Sequence, residues 1–261
     1  CMMHHNVKAQ PTGSAPSDSA RAVRLMREGG RIALPERFLF YARALIGTPY
    51  LGHTLETHVE QGERLEVNMR QMDCCTFIEN VLALTLATDS ATYGEFRRQL
   101  QRIRYRDGVI DGYASRNHYF AQWVESGERL GMVQAVDVGD AVQTLRLKYM
   151  TTHRNQYRGI TNDDAAYRLI DKYEREASGK RVRYFTREAL RRSDAGEDGG
   201  VLRQSIKTGD ILGIVTRKQG LDTTHLGIAV WDKDGKLHLL NASLLHKKVV
   251  LEQKTLYQYM T

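Results

Sequence analysis

The chain has 261 residues, and its content of 41% hydrophobic and 26% charged residues is that of an ordinary globular protein with room for one large or two small domains. The formal net charge of +7 is typical either of simple solubility or of a protein with an anionic partner, which would be a nucleic acid or a carboxylate-rich cell wall. Nucleic acid is disfavoured because the basic residues are scattered without an aromatic–basic RNA motif, and no membrane-spanning helix is predicted because no run of 18 apolar residues occurs.

Residues 1–20 are predicted to form a flexible N-terminal tether, because the stretch is polar and rich in Pro, Gly and Ser. Translation does not start at a cysteine, so Cys1 indicates processing. We expect a lipid-modified cysteine, which would make the protein a periplasmic lipoprotein of the bacterial cell envelope that contacts the membrane only through this lipid. The alternative is the remnant of a trimmed tag that includes His4 and His5.

Four helices are predicted in the first half of the chain from their apolar periodicity and end signals. The first begins near Pro35 and ends at Gly47, and the second begins after Asp73. The third, within residues 93–108, is basic and amphipathic, and the fourth lies within residues 116–131. The residues expected to face the core from the first and third helices are Phe38, Tyr41, Leu45, Ile46, Phe96, Leu100 and Ile103.

The second half of the chain changes from helical to strand patterns. Residues 133–200 are mixed, with helical patterns near 163–177 and 186–192. After about residue 200, four short runs show strand periodicity between turn signals, namely "DILGIVT", "HLGIAVW", "KLHLLNAS" and "KKVVLE". Because helices come first and strands follow without βαβ alternation, the predicted fold class is α+β with an antiparallel sheet. We expect one domain over residues 21–261, with a helical insertion at about 95–200, and a monomer.

Two adjacent cysteines, Cys74 and Cys75, lie where Asp73 begins the second helix. Neighbouring cysteines rarely form a disulfide, and the Cys-x-x-Cys spacing of a redox pair is missing. A thiol in the first turn lies at the positive end of the helix dipole, which favours a thiolate and is typical of cysteine hydrolases. The alternative is a small, buried packing residue, which is the usual environment of a free cysteine. A zinc site is not expected, because three or four ligands at motif spacing are absent from the sequence.

A cysteine nucleophile needs a histidine base and a group that orients it. The stretch "TTHLGIAVWDKDGKLHLLNAS" predicts two strands joined by the turn "DKDG". A turn centred between the second and third of those residues places His225 opposite Ala242 or, one residue away, Asn241, whose amide can hold an imidazole in one tautomer. A surface histidine and a turn-forming asparagine are the alternatives. His238 falls opposite about residue 229 and is interpreted as structural or exposed.

Six stretches of the sequence resemble, in order, the N-acetylmuramoyl-L-alanine amidase-like family of bacterial cell-wall proteins, within the NlpC-type papain-like cysteine hydrolase superfamily. The Asp-Cys helix start and the Thr-His-Leu-Gly strand are specific in combination, whereas a Gly-Asp strand start alone is weak. The matching stretches are "GTPYLGHTLE" at 47–56, "MDCCTFIENVLAL" at 72–84, "RNHYFAQW" at 116–123, "IKTGDILGIVT" at 206–216, "GLDTTHLGIAV" at 220–230 and "LLNASLLHKKVV" at 239–250.

The resemblance implies a papain-like (NlpC-type) fold in which an N-terminal helical part packs on a C-terminal antiparallel sheet or half-barrel. It implies that Cys74 is the nucleophile, because the family pattern begins with Asp-Cys, and that Cys75 fills a variable position. It also implies that His225 is the base. The third catalytic position is often His in this pattern, and here it is Asn241, whose amide oxygen can still accept from the ring N–H.

The implied activity is cysteine-dependent hydrolysis of the amide bond between muramic acid and L-alanine in peptidoglycan or muropeptides, without a metal or other cofactor. Three residues are predicted to bind substrate, namely Tyr50, Asp73 and Thr224. For Tyr50, a half-buried core aromatic is the alternative. The alternative functions are cleavage inside the stem peptide after D-glutamate, an acyltransferase, and a non-catalytic cell-wall-binding protein.

Overall fold

The computed structural model describes residues 17–56 and 59–260. In this part of the chain, no helix is both long and apolar enough to cross a membrane. The α-helices are α1 (Asp18–Gly29), α2 (Leu34–Ala44), α3 (Cys74–Ala87), α4 (Tyr93–Arg104), α5 (Phe120–Arg129), α6 (Tyr149–Thr152), α7 (Arg158–Thr161), α8 (Asp164–Ala177), α9 (Arg187–Asp194), α10 (Val201–Ser205) and α11 (Leu256–Tyr259). The strands are β1 (Ala141–Thr144), β2 (Arg181–Tyr184), β3 (Ile211–Val215), β4 (Thr223–Trp231), β5 (Leu237–Ser243) and β6 (Lys248–Thr255).

The predicted α+β class with an antiparallel sheet is confirmed. Strands β3, β4, β5 and β6 form one sheet in that order, and each pair is antiparallel. The sequence analysis did not anticipate the second sheet, a single antiparallel pair of β1 and β2 in the middle of the chain. Four 3₁₀-helices complete the described structure, at Val59–Gln61, Arg106–Gly108, Tyr113–Ser115 and Arg154–Gln156.

Helix α1 begins inside the range predicted as a tether. The side chain of Ser17 caps it by accepting a hydrogen bond from the backbone N–H of Ala20, and Leu25 and Met26 are buried in the core. The first helix therefore begins at Asp18 rather than after residue 20. The tether residues before Ser17, including Cys1, His4 and His5, lie outside the described residues.

Helix α2 follows the prediction at its start and departs from it at its end. Pro35 lies in the first turn, and Tyr41 and Leu45 are fully buried as expected. The expectation that Ile46 faces the core is wrong, because its side chain is 46% exposed. The helix ends at Ala44, so Ile46 lies beyond it in the turn that Gly47 completes with a φ of +87°.

The remaining predicted helices are present. Eleven of the fourteen residues of α3 are buried, which fits its predicted role as a core helix. Phe96, Leu100 and Ile103 of α4 are buried. Helices α5, α8 and α9 cover the other predicted helical stretches.

Both faces of the four-stranded sheet are covered by helices. Residues on one face of β4 and β5, such as Leu226, Ile228 and Leu240, belong to the same hydrophobic cluster as α3. Residues on the opposite face, such as Ala229 and Leu239, pack with side chains of α9, α10 and α11. The sheet therefore lies between α3 and a second helical layer, and α3 begins close to the strands.

A separate hydrophobic cluster fills the predicted helical insertion. It joins residues between Tyr113 and Ala177, among them Met150 and Ile170. Helix α4 at the start of the predicted insertion packs in the cluster of α3, and Leu190 and Leu202 near its end pack against the sheet. Within about 95–200, the stretch with a core of its own is thus shorter, from residue 113 to residue 177. The single-domain organisation of residues 21–261 stays a prediction.

The β4–β5 hairpin pairs Val230 with His238 and Trp231 with Leu237. The turn is centred on Asp234, because the backbone N–H of Asp232 bonds to the carbonyl of Lys236 and Gly235 takes a φ of +73°. The predicted turn centre was half a residue earlier. His238 accordingly lies opposite residue 230 rather than 229.

The first residues of β6 are paired on their outer side by residues 47–50. The backbone N–H of Gly47 donates to the carbonyl of Val249 at 2.8 Å, and the N–H of Val249 donates to the carbonyl of Thr48 at 2.8 Å. The N–H of Tyr50 bonds to the carbonyl of Lys247 at 2.8 Å. This segment therefore covers the start of the outermost strand and fixes the backbone of Tyr50 to the sheet.

Candidate active site

The start of α3 is built as a capping box. The Asp73 carboxylate accepts from the backbone N–H of Thr76 at 2.8 Å, and the Thr76 hydroxyl oxygen accepts from the N–H of Asp73 at 2.9 Å. These bonds fix the first turn, which carries Cys74 and Cys75. The N–H groups of that turn have no partner within the helix and point toward its start.

Cys74 is buried and Cys75 is exposed, and both are free thiols. The Cys74 side chain is 1% exposed, and its sulfur lies 3.9 Å from the sulfur of Cys75. The backbone N–H of Leu226 on β4 also faces the Cys74 sulfur and favours its anionic form. Because Leu226 follows His225 directly, the sulfur lies against the strand that carries the predicted base.

The surroundings of the Cys74 thiol favour its protonated form. Its hydrogen bond with Cys75 and its burial raise its pKa well above the ordinary value, and the charge of Asp73 acts in the same direction. This differs from the expected thiolate. The field of the helix start and the Leu226 N–H favour the anion, but burial of the sulfur beside a second thiol outweighs them.

The structure brings His225 and Asn241 together. Nε2 of the imidazole lies 2.9 Å from Oδ1 of the Asn241 amide, and Asn241 is fully buried. An amide oxygen can only accept, so Nε2 carries the proton and Nδ1 keeps its lone pair. Burial lowers the pKa of His225, although the Asn241 bond and the charge of Glu252 oppose that shift. The imidazole is therefore neutral at pH 7.

Two tyrosines lie close to Cys74. Tyr50, a predicted substrate contact, is half-buried, and burial followed by the charges of Asp73 and Cys74 raises its pKa. Tyr259 of α11 stacks on the His225 ring with 6.1 Å between centroids. Burial, the charge of Glu252 and the charge of Cys74 raise the pKa of Tyr259. The sequence analysis missed Tyr259, because nothing local connects a residue near the chain end with His225.

The structure also shows the surroundings of Asp73 and Thr224, the other two predicted substrate contacts. The described hydrogen bonds of the Asp73 side chain engage Thr76 at the helix start. Thr224 lies at a β-bulge, since Ile214 pairs with His225 while Val215 pairs with Thr223. Substrate binding by Tyr50, Asp73 and Thr224 stays a prediction.

Two further polar side chains extend the site beyond Asn241, and the sequence analysis missed both. Glu252 of β6 accepts from Nδ2 of Asn241 through Oε1 at 3.1 Å. Its other oxygen lies 3.1 Å from Nε2 of His246, in the β5–β6 turn. Asn241 pairs with Val250, and Glu252 two residues later lies on the same face of β6. The register of the last two strands is therefore the signal in the sequence that points to Glu252.

A cavity of about 210 Å³ lies beside the first turns of α3. Thr76 and Asn80 of α3 line it together with Leu51 and Arg104. Cys74, His225 and Asn241 are not among its lining residues. In the part of the chain that the structure describes, no three His, Cys, Asp or Glu side chains gather as they would around a metal ion.

Comparison with protein families gives one match that spans most of the chain. Residues 41–261 match the AmiA-like family, which is described as N-acetylmuramoyl-L-alanine amidase-like. No match was found among curated proteins.

Solved structures resemble the chain over nearly its whole length. An N-acetylmuramoyl-L-alanine amidase from Bacteroides uniformis is 37% identical with a TM-score of 0.78, and the alignment covers 89% of this chain and 92% of the other. A proposed xylanase from Bacteroides fragilis is 39% identical with a TM-score of 0.75, covering 84% and 92%. A Legionella pneumophila protein, at 21% identity and a TM-score of 0.66, covers 93% and 88% and shares the fold.

Proposed function

This chain belongs to the N-acetylmuramoyl-L-alanine amidase-like family, and from that premise we propose that it hydrolyses an amide bond of peptidoglycan with Cys74 as the nucleophile. His225 is the proposed general base, and Asn241 orients it. The papain-like, NlpC-type assignment of the fold belongs to the same proposal.

One observation carries this mechanism. The Cys74 sulfur, at the start of α3, contacts the backbone N–H of Leu226, and the preceding residue His225 is held by Asn241 at 2.9 Å. A thiol at a helix start, an imidazole on a neighbouring strand and an amide that fixes its tautomer are the three parts that cysteine hydrolases need.

The protonation states define how the reaction starts. With the pKa of Cys74 raised and that of His225 lowered, the resting pair is a neutral thiol and a neutral imidazole. The thiol proton therefore moves to Nδ1 of His225 as the sulfur attacks the amide carbonyl carbon. This is general-base catalysis rather than attack by a thiolate that exists beforehand.

The start of α3 also supplies donors for the oxyanion. The N–H groups of Cys74 and Cys75 lie in the first turn, where a helix has no internal acceptor for them. As the tetrahedral intermediate collapses, His225 gives its proton to the leaving amine and a thioester remains on Cys74. Water then attacks the thioester carbon, with His225 taking the proton, and the acid product leaves.

Substrate access requires movement, because Cys74 is 1% exposed. Tyr259, which stacks on His225, and Tyr50, whose backbone is fixed to β6, are the two tyrosines close to the sulfur. We propose that the Tyr259 side chain moves to admit the substrate, since α11 is a single helical turn. Tyr50, Asp73 and Thr224 are proposed to contact the substrate.

The proposed bond is the one between muramic acid and L-alanine, as the family description and the B. uniformis relative suggest. Cleavage after D-glutamate in the stem peptide is the rival. Acyl transfer is a further alternative that uses the same three residues, whereas binding without cleavage is less favoured because those residues are intact. A xylanase activity, as the name of the B. fragilis relative suggests, does not suit this site. Glycosidases use two available carboxyl groups, whereas both Glu252 oxygens are bonded to Asn241 and His246.

The proposed location is the bacterial periplasm, and the proposed state is a monomer. The net charge of +7 supports an association with a carboxylate-rich wall.

Digestion of purified muropeptides followed by mass spectrometry tests the activity. We expect a free stem peptide that begins with L-alanine and a sugar fragment without peptide, and no product from the Cys74→Ala variant. A sugar fragment that retains L-alanine and D-glutamate, together with the freed remainder of the stem, would instead establish the rival bond. A product that carries an added amine in place of water would establish transfer, and intact muropeptides with either enzyme would contradict catalysis.

A further inference from the structure

The catalytic asparagine is itself held by a buried carboxylate. Glu252 projects from β6 with 4% of its side chain exposed, and its Oε1 accepts from Asn241 Nδ2 at 3.1 Å. The carbonyl of Leu239 is a second, longer acceptor for the same nitrogen at 3.4 Å. Both groups lie on the side of Asn241 that faces away from His225.

These acceptors determine which way the Asn241 amide points. A carboxylate has no proton to give, so the amide must turn its nitrogen toward Glu252 and its oxygen toward the imidazole. The reversed amide would place Oδ1 against a carboxylate oxygen and Nδ2 against Nε2 of His225. The ring would then lose the acceptor for its Nε2 proton, and Nδ1 would no longer be held as the basic nitrogen.

A buried carboxylate needs more than one donor, and His246 supplies the second. Nε2 of His246 lies 3.1 Å from Glu252 Oε2, and the His246 side chain is 47% exposed. The backbone N–H of His246 bonds to the Ser243 hydroxyl at 3.3 Å, which fixes the turn. The site chain comprises Cys74, His225, Asn241, Glu252 and His246. Its side chains are linked from His225 to the surface through Asn241, Glu252 and His246, and Cys74 adjoins it at the backbone of Leu226.

We propose that Glu252 is a positioning residue of the active site, which fixes the His225 tautomer by orienting the Asn241 amide, and that His246 supports it from the surface. This inference rests on the proposed function of Cys74 and His225. Glu252 acts through Asn241, so its loss should change the rate of the chemical step more than the binding of substrate.

The first test compares Glu252→Met with Glu252→Gln in the full chain. Methionine has a similar length but cannot accept the amide bond, so we expect kcat to fall about 10- to 100-fold with KM changed less than about threefold. Glutamine keeps an oxygen acceptor and should recover most of the rate. Glu188→Met, on the exposed surface of α9, is the matched control and should retain full activity. A Glu252→Met variant with wild-type kcat, or a loss that appears only in KM, would overturn the inference.

The second test does not depend on activity. Nitrogen-15 chemical shifts of the histidine rings distinguish the two neutral tautomers, and the His225 signal is assigned by its disappearance in His225→Gln. We expect wild-type protein and Glu252→Gln to show Nε2-protonated His225, and Glu252→Met, or Glu252→Leu if the methionine variant does not fold, to show a mixture. An unchanged single tautomer in the variant without an acceptor would refute the positioning role even if no muropeptide is cleaved. His246→Gln should have the smaller effect on kcat, about threefold, and a larger effect than that of Glu252→Met would contradict the proposed order of the chain.

Discussion

Two buried polar networks in this molecule differ in how completely their polar groups are hydrogen-bonded. The first, here called the arginine cluster, consists of Arg116, Glu56, Glu63 and Tyr105. Each nitrogen of the Arg116 guanidinium is engaged: Nε lies 2.9 Å from Glu63, one terminal nitrogen lies 2.9 Å from Glu56, and the other donates to the carbonyl of Leu55 at 2.9 Å. The second oxygen of Glu63 lies 2.8 Å from the guanidinium as an ion pair without hydrogen-bond alignment. Tyr105 adds a hydrogen bond to Glu63.

The site chain is less complete at its inner end. Asn241 and Glu252 are bonded on both sides, but the Cys74 sulfur has only a second thiol at 3.9 Å and a backbone N–H as polar contacts that the structure describes. Its pKa is raised, whereas two carboxylates keep the pKa of Arg116 above its ordinary value although burial acts to lower it. A network whose charges are all paired stabilises a fold, and one that leaves a reactive group weakly paired is suited to chemistry.

Removing the Cys74 sulfur should have the largest effect on catalysis while changing the stability of the fold very little. Cys74→Ala is expected to lower kcat/KM at least about 10⁴-fold, equal to about 5.5 kcal/mol, because no other group replaces the nucleophile. The free energy of unfolding should change by less than about 1 kcal/mol for the loss of one sulfur atom. Muropeptide turnover and urea unfolding measure the two quantities. Cys75→Ser is the matched control, and a severe loss of activity there with retention in Cys74→Ala would reverse the assignment.

The arginine cluster should respond in the opposite way. Arg116→Met leaves the buried Glu63 without its counter-ion, and we expect the free energy of unfolding to fall by about 3–5 kcal/mol, with kcat/KM unchanged while the protein is folded. Arg191→Met removes an exposed ion pair on α9 and should leave stability nearly unchanged. If Arg116→Met were as stable as Arg191→Met, the contrast between the two networks would be lost.

An intermediate effect is expected within the site chain. Asn241→Ala removes the acceptor that holds His225, and kcat should fall about 100-fold while Cys74 and His225 remain in place. The loss should be smaller than that of Cys74→Ala, because the base is misoriented rather than absent. Stopped-flow or steady-state turnover of a muropeptide measures it, and equal losses in the two variants would show that orientation and nucleophile are not separable.

The smallest expected effect is in the acid limb of the rate profile. An unperturbed histidine, with a pKa of about 6.5, is only about one-quarter neutral at pH 6. Burial lowers the pKa of His225, so more than that fraction stays basic, and kcat/KM should fall from pH 7 to pH 6 by less than the roughly threefold that an unperturbed histidine would give. A fall of fivefold or more over this interval would indicate a charged imidazole at rest and therefore a thiolate partner.

The parts of the site that follow local rules could be predicted from the sequence. Asp73 caps α3 and puts Cys74 in the first turn, since an aspartate before an apolar helical run is a start signal. The hairpin brought His225 near Asn241 although its turn was placed half a residue early, because the "DKDG" signal fixes a hairpin more firmly than its register.

What the sequence could not provide depends on contacts between distant elements. Tyr259 stacks on His225 only once α11 has packed beside the sheet, and no local pattern in the sequence indicates that contact. The protonated state of Cys74 could not be foreseen either, because the helix start favours a thiolate and only the packing of the sulfur against Cys75 and β4 reverses that preference. The second sheet of β1 and β2 went unnoticed, since each strand has only four residues.

The pairing of residues 47–50 with the start of β6 has a consequence for how the molecule meets its copies. An open outer strand offers a row of free amides and carbonyls to which a neighbouring polypeptide can add itself, and such addition is a common route to aggregation. Here the backbone groups of Lys247 and Val249 are already occupied from within the same chain. Copies of the protein therefore cannot pair edge to edge at the start of β6, even at high concentration. A cut or insertion near Gly47 would expose these backbone groups again, beside Tyr50.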